Sequence, residues 1–274
     1  MLRIEADDSL ENEKLTGAQC GRCYWPGDAV INIIDGYCTL GAERETQITA
    51  EELIRQMNRA GINRAVIAPE DREIAVNNVW GNDRILEASN HSNGRFIPAC
   101  TVNPWFGRAG CEELQRAVAA GARLLVLAPA LQGYCLGDEL MDDLLRLAGD
   151  LQIPVYVHTG PHSTSAPAQL ALVAARHPPT SFLLGHCGST DYAWDMPAVL
   201  KAGMKNLFFE VSLARPWAAA AYGKLADRTT MIFGSSTPRN DAFFELEWLK
   251  RYLPPLEYPD VYGNNLARLL KEPN

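Results

Sequence analysis

The sequence predicts an α/β fold, a (β/α)8 TIM-type barrel of parallel strands with a short N-terminal extension, and three observations carry that prediction. Eight short apolar runs follow one another from about residue 30, and continuous apolar runs read as strands buried on both faces. Amphipathic stretches with helix start and stop signals separate them. The length, 274 residues, suits one barrel domain, and no glycine-rich phosphate loop follows an early strand to favour a doubly wound open sheet. Residues 1–29 are expected to form the extension and residues 30–274 the barrel.

The elements read off in order. The first strand run is Ala29 to Ile34. Thr49 and Glu52 then form a capping box, in which each side chain can satisfy a backbone amide of the first turn, and the helix runs to Ala60 before Gly61. Arg64 to Ala68 and Phe96 to Val102 are the second and third runs, and the latter leads to a helix over Cys111 to Ala120 closed by Gly121. Ala122 to Ala128 precedes a helix from Asp138 to Gly149, and Ile153 to Val157 precedes one from Leu170 to His177, stopped by Pro178-Pro179. Thr180 to Leu184, Asn206 to Val211 and Thr229 to Phe233 complete the strands. A last long helix, Asp241 to Leu253, ends at Pro254-Pro255.

Composition narrows the function. Hydrophobic residues make up 47%, enough for a sizeable core, and the net charge of −8 with no basic run excludes nucleic acid and anionic membranes as natural partners. A small-molecule substrate is the expected partner. No run reaches the ~18 apolar residues of a spanning helix, and Met1 to Asp8 is acidic where a signal peptide would be apolar. Seven scattered cysteines do not make a disulfide framework, so a reducing, cytoplasmic location is expected. Cys20 and Cys23 have zinc or redox spacing, but no second pair follows and Tyr24-Trp25-Pro26-Gly27 is a turn sequence, so the pair reads as structural.

In such a barrel functional side chains gather at the C-terminal strand ends. Those ends carry Tyr37 and Thr39, Glu70, Asn103, His158, His186, Glu210 with Ser212, and Ser236. Two of five histidines fall there, on successive strands, which points to a shared pocket. In the loops beyond, His162 and Tyr134 would line or cover the opening, Arg239 would clamp a carboxylate or pair with Asp241, and Asp191 would serve as a base or as a helix N-cap. His91 and His177 sit near helix C-termini, where a surface role is the default.

Several of these segments resemble one family. Pro154 to Gly160, Phe182 to Gly188 and Met231 to Pro238 are similar to the fifth, sixth and eighth strand motifs of the amidohydrolase-related family of the amidohydrolase superfamily, which holds metal-dependent hydrolases and decarboxylases. Tyr262 to Leu270 resembles its closing helix, and motif order is kept over nearly all of residues 30–274. The chain departs from the family where that family holds metal. Tyr37 and Thr39 stand in place of the first-strand His-x-His, and Ser236 in place of the eighth-strand aspartate. Hydroxyls are poor zinc ligands, and Cys38 and Cys187 point the wrong way by strand alternation.

The resemblance therefore implies a divergent member: a hydrolase or carbon–carbon lyase for a small, carboxylate-bearing molecule, without a tightly bound metal. His158 and His186 would move protons, with Tyr37 and Asp191 assisting, while Thr39, Ser236, Arg239, His162 and Tyr134 bind substrate. No cofactor is expected; a divalent metal such as zinc, if held, would have His158 and His186 as ligands. The pyrone-dicarboxylate lactonases of this superfamily hydrolyse without metal in outline, though they keep the missing aspartate. One histidine is expected to titrate low through burial and the other high beside an acid such as Glu210 or Asp191. The alternative is a catalytically silent ligand-binding subunit, and a homodimer or a heteromer with an active paralogue is left open as the assembly.

Overall fold

A computed structural model describes residues 31–42, 45–160 and 162–272, so Cys20 and Cys23 lie outside the described residues. Among these residues eight parallel strands pair in sequence order: β1 (Ile34–Thr39), β2 (Arg64–Ala68), β3 (Phe96–Thr101), β4 (Leu124–Leu127), β5 (Val155–His158), β6 (Phe182–Gly185), β7 (Leu207–Glu210) and β8 (Met231–Ile232). Backbone hydrogen bonds then join the last strand to the first: Gly36 N to Phe233 O at 2.9 Å, Ser236 N to Tyr37 O at 3.0 Å and Thr39 N to Thr237 O at 2.8 Å. Those bonds close the barrel and leave the sheet without a free edge.

Around it run α1 (Ala50–Ala60), α2 (Asp71–Ala75), α3 (Asn78–Asn90), α4 (Gly107–Ala119), α5 (Pro129–Gln132) and α6 (Asp142–Asp150). The circuit continues with α7 (Pro167–Arg176), α8 (Met196–Lys201), α9 (Pro216–Leu225), α10 (Ala242–Tyr252) and α11 (Asn264–Leu270). None of the described helices is long and apolar enough to cross a membrane.

Strand alternation divides the core in two. Ile34, Val66, Ile97, Leu124, Val126, Tyr156, Leu183 and Ile232 fill the barrel interior. Their neighbours Ile67, Leu125, Val155 and Leu184 face outward and pack under helices with Leu53, Met57, Leu145 and Val173. Cys38 and Cys187 both belong to the outer layer, as alternation predicts.

Several expected boundaries move, each for a local reason. β1 starts where the apolar run Ala29 to Ile34 ends, because Asp35 is accommodated inside the strand: its Oδ1 accepts from Ser235 N at 2.8 Å and Tyr37 N at 3.2 Å. Between Asp35 and Cys38 the register against β2 shifts by one residue, a bulge that turns Tyr37 into the interior. α1 keeps the capping box and ends at Gly61, with φ 73°. α4 begins at Gly107, ahead of Cys111, and α10 spans Ala242 to Tyr252 with Asp241 as its N-cap. His177 is buried, not on the surface, because its ring contacts Asp142 Oδ1 at 3.0 Å beneath α6.

Candidate active site

Tyr156 and His158 sit two residues apart on β5, so both face inward. His186 follows β6 with φ 65°, and the next turn holds Cys187 at φ 45° and Ser189 at φ 53°. Leu213 after β7 has φ 58° and Ser236 after β8 has φ 59°. Left-handed backbone at non-glycine residues costs of order 1–3 kcal/mol each, and it persists where the surroundings over-determine it. Here it is concentrated at three successive strand ends, all on the face where barrel enzymes react.

These ends bring five side chains into one line. Tyr37 Oη lies 2.8 Å from His158 Nε2, and His158 Nδ1 lies 3.1 Å from His186 Nε2. His186 Nδ1 lies 2.8 Å from Ser212 Oγ, which donates to Glu210 Oε2 at 2.9 Å. Glu210 also accepts from Tyr156 Oη at 2.8 Å, His186 N at 3.1 Å and Ser212 N at 2.6 Å. The Tyr37 and Tyr156 rings stack with centroids 4.5 Å apart and wall the histidine pair from one side.

An ionised Glu210 fixes the polarity of this chain. A carboxylate only accepts, so Ser212 must donate to it and use its lone pair for His186 Nδ1–H. His186 Nε2 then accepts from His158 Nδ1–H, and His158 Nε2 from the Tyr37 hydroxyl. Every hydrogen bond points the same way.

Electrostatics keep both imidazoles neutral. Burial, the His186 ring and the Arg239 charge hold His158 well below the ordinary histidine range, and burial with Arg239 pulls His186 down to about 3. The expectation that one histidine titrates high is therefore overturned: burial and the Arg239 charge act on both rings and lower both. Burial raises Glu210 itself to about 7, against the pull of its Ser212, Tyr156 and His186 donors. Two glycines make room for it. A Cβ on Gly234 would overlap the Glu210 carboxylate, and one on Gly185 the Tyr156 ring.

Sequence reading singled out Tyr37, His158, His186, Glu210 and Ser212; it missed Tyr156, although its spacing of two from His158 puts both on one face. Thr39 and Ser236 are buried at the seam between β1 and β8. Arg239 pairs with Asp71 at 2.7 Å, while Asp241 pairs with Arg59. His162 and Asp191 are exposed, and the cap of α8 is Asp195. Tyr134 belongs to the outer core, with its hydroxyl buried and unpartnered. Glu70 and Asn103 are helix caps, accepting from Arg72 N and Trp105 N.

A family model described as Amidohydrolase matches residues 44–271. No curated protein sequence matches the chain. Among solved structures, 5-carboxyvanillate decarboxylase from Novosphingobium aromaticivorans, complexed with manganese and a nitrobenzoic acid ligand, superposes with TM-score 0.72 at 15% identity over 89% of this chain and 97% of that one. 2,6-Dihydroxybenzoate decarboxylase from Rhizobium gives 0.69 at 15% over 88% and 98%. A probable 2-pyrone-4,6-dicarboxylic acid hydrolase from Acinetobacter baumannii, with citric acid bound, gives 0.67 at 15% over 88% and 99%.

Manganese in one neighbour means these comparisons lend no support to an absence of cofactor. The described residues do not gather a ligand set that fits the metal, however. A catalytic site of this kind needs about three protein ligands. Among the described residues no group of three or more His, Cys, Asp or Glu side chains is placed to hold an ion. The facing imidazole nitrogens bond each other, and Glu210 is saturated by four donors.

Proposed function

The chain belongs to the amidohydrolase family, and on that premise we propose that it is an enzyme, a hydrolase or carbon–carbon lyase, acting on a small carboxylate-bearing ring without a tightly bound metal. One observation carries the reading: the unbroken line of hydrogen bonds from Tyr37 through His158, His186 and Ser212 to Glu210.

Such a line moves a proton without charging an imidazole. With Glu210 ionised, a proton delivered to Tyr37 Oη shifts each bond by one place and ends on the carboxylate. The site then acts as a base, as water attack on an ester or lactone requires. With Glu210 protonated the shifts run outward, and the site acts as an acid, as protonation of a ring carbon after loss of CO₂ requires. Burial places Glu210 near pH 7, so both forms are populated. His158, the partly exposed member, marks the side from which substrate approaches. Arg239, about half exposed, would exchange Asp71 for a substrate carboxylate. Thr39 and Ser236 would shape the wall at the seam.

The silent-subunit reading draws on the burial of Tyr37, 2% exposed, and His186, 6% exposed. One experiment separates the two. The chain is incubated with 5-carboxyvanillate, 2,6-dihydroxybenzoate and 2-pyrone-4,6-dicarboxylate, with EDTA or with manganese. Turnover that survives EDTA and falls at least ~100-fold in His158→Ala is expected. Turnover that depends on manganese overturns the metal-free reading. No turnover and no ligand-detected NMR broadening with any of the three favours the silent subunit.

A further inference from the structure

α10 packs between α1 and α9 on the outside of the barrel and buries Ala242, Leu246 and Leu249. Its opposite face is apolar as well. Phe244, Trp248 and Tyr252 recur every four residues and therefore form one stripe, and they are 58%, 46% and 37% exposed. Leu256, just past the helix end, is 76% exposed. The stripe is already ordered: the Trp248 and Tyr252 rings stack at 6.2 Å, and the Arg59 guanidinium lies 6.0 Å from the Phe244 ring.

We propose that this stripe is the docking surface for a second copy of the chain, with the two α10 helices antiparallel across a two-fold axis near Trp248. Area supports that occupant. Aromatic side chains bury roughly 150–250 Å² each, so the exposed parts of the three rings, with Leu256 beside them, offer about 400 Å² per copy. A stable dimer buries about 800 Å² on each partner, a little over half of it apolar, and the stripe supplies close to that apolar share. Isolated aromatics held rigid at an interface centre are also the groups that carry most binding energy.

Charge selects the direction. Glu247, which also pairs with Lys250 at 2.8 Å, and Arg251 flank the stripe on one side of α10 at successive turns. Antiparallel pairing about a two-fold keeps that flank on the same side of the interface and sets Glu247 of one copy beside Arg251 of the other, twice by symmetry, whereas parallel two-fold pairing puts the two flanks on opposite sides and forms neither pair. Helix dipoles oppose in the antiparallel arrangement and favour it further. With a net charge of −8 repelling any two copies, local complementarity of this kind is what a self-association needs.

The test is sedimentation of the full-length chain from about 1 to 100 μM, a range that brackets ordinary dimer affinities. A dimer is expected. Trp248→Glu should be monomeric with an unchanged circular dichroism spectrum, since the side chain is half exposed. Arg251→Glu should weaken association at least ~10-fold by setting carboxylates against each other, and Glu247→Arg with Arg251→Glu should restore it. A chain that stays monomeric throughout overturns the proposal. So does a dimer unaffected by Trp248→Glu, or one whose affinity Arg251→Glu leaves unchanged.

Discussion

Four hydrogen bonds converge on the Glu210 carboxylate and favour its charge, but complete burial outweighs them and raises it to about 7. The pH profile therefore diagnoses the reaction. For hydrolysis the line must accept a proton, so kcat/KM should rise with pH through about 7; for decarboxylation it must donate, and kcat/KM should fall there. Glu210→Gln removes that limb in either case. Tyr37→Phe, which deletes the terminal hydroxyl without changing ring packing, should cost about 10²–10⁴ in rate with little loss of stability. Steady-state kinetics on any substrate turned over checks both. The histidines were legible because two strand ends in succession carry them. Glu210 and Ser212 were visible only as strand-end residues, since their value lies in contacts between β6 and β7 that no local pattern encodes. Asp191 looked as good a carboxylate from sequence, yet it ends exposed in a turn.

At the level of elements, the strands that read most clearly are the ones buried on both faces, such as β2, where Arg64 to Ala68 matches throughout. α3 and α9 escaped notice for opposite reasons. α3 carries asparagines on its buried face, where Asn78 and Asn82 bond backbone carbonyls and Glu113, so it lacks an apolar stripe. α9 is apolar nearly all round, and its alanine run has no periodicity to read. β1 was misplaced because Asp35 and Gly36 look like strand breakers, and only their contacts with the last strand show otherwise. The glycine after β8 is constrained by packing rather than turn geometry. Gly234→Ala should push on Glu210 and destabilise the fold by about 1–3 kcal/mol, the usual cost of overpacking, read as a lower urea midpoint with retained helical signal.

The whole molecule's stability should carry the site's titrations. Glu210 is raised from 4.5 to about 7, so its contribution is full below pH 4.5 and is lost as pH rises through 7; largely buried Glu245, also near 7, adds a loss of the same sign. His186, lowered from 6.5 to about 3, works the other way: its contribution is full above 6.5 and is lost as pH falls toward 3, and His158 adds to it. Between pH 4.5 and 6.5 the trends offset, so the urea midpoint should be nearly flat there and fall on both sides. In Glu210→Gln the histidine effect remains, and the midpoint should climb with pH across that interval. The seam between β1 and β8 has a consequence for how the protein comes into being. Its three backbone bonds join positions about 200 residues apart, and Tyr37, where the proton line begins, is held by Ser236 from across it. A nascent chain carries both histidines well before it carries Ser236. The line of five side chains is therefore complete only once Ser236 has left the ribosome and the seam has closed, so until then the two histidines stand in an open sheet.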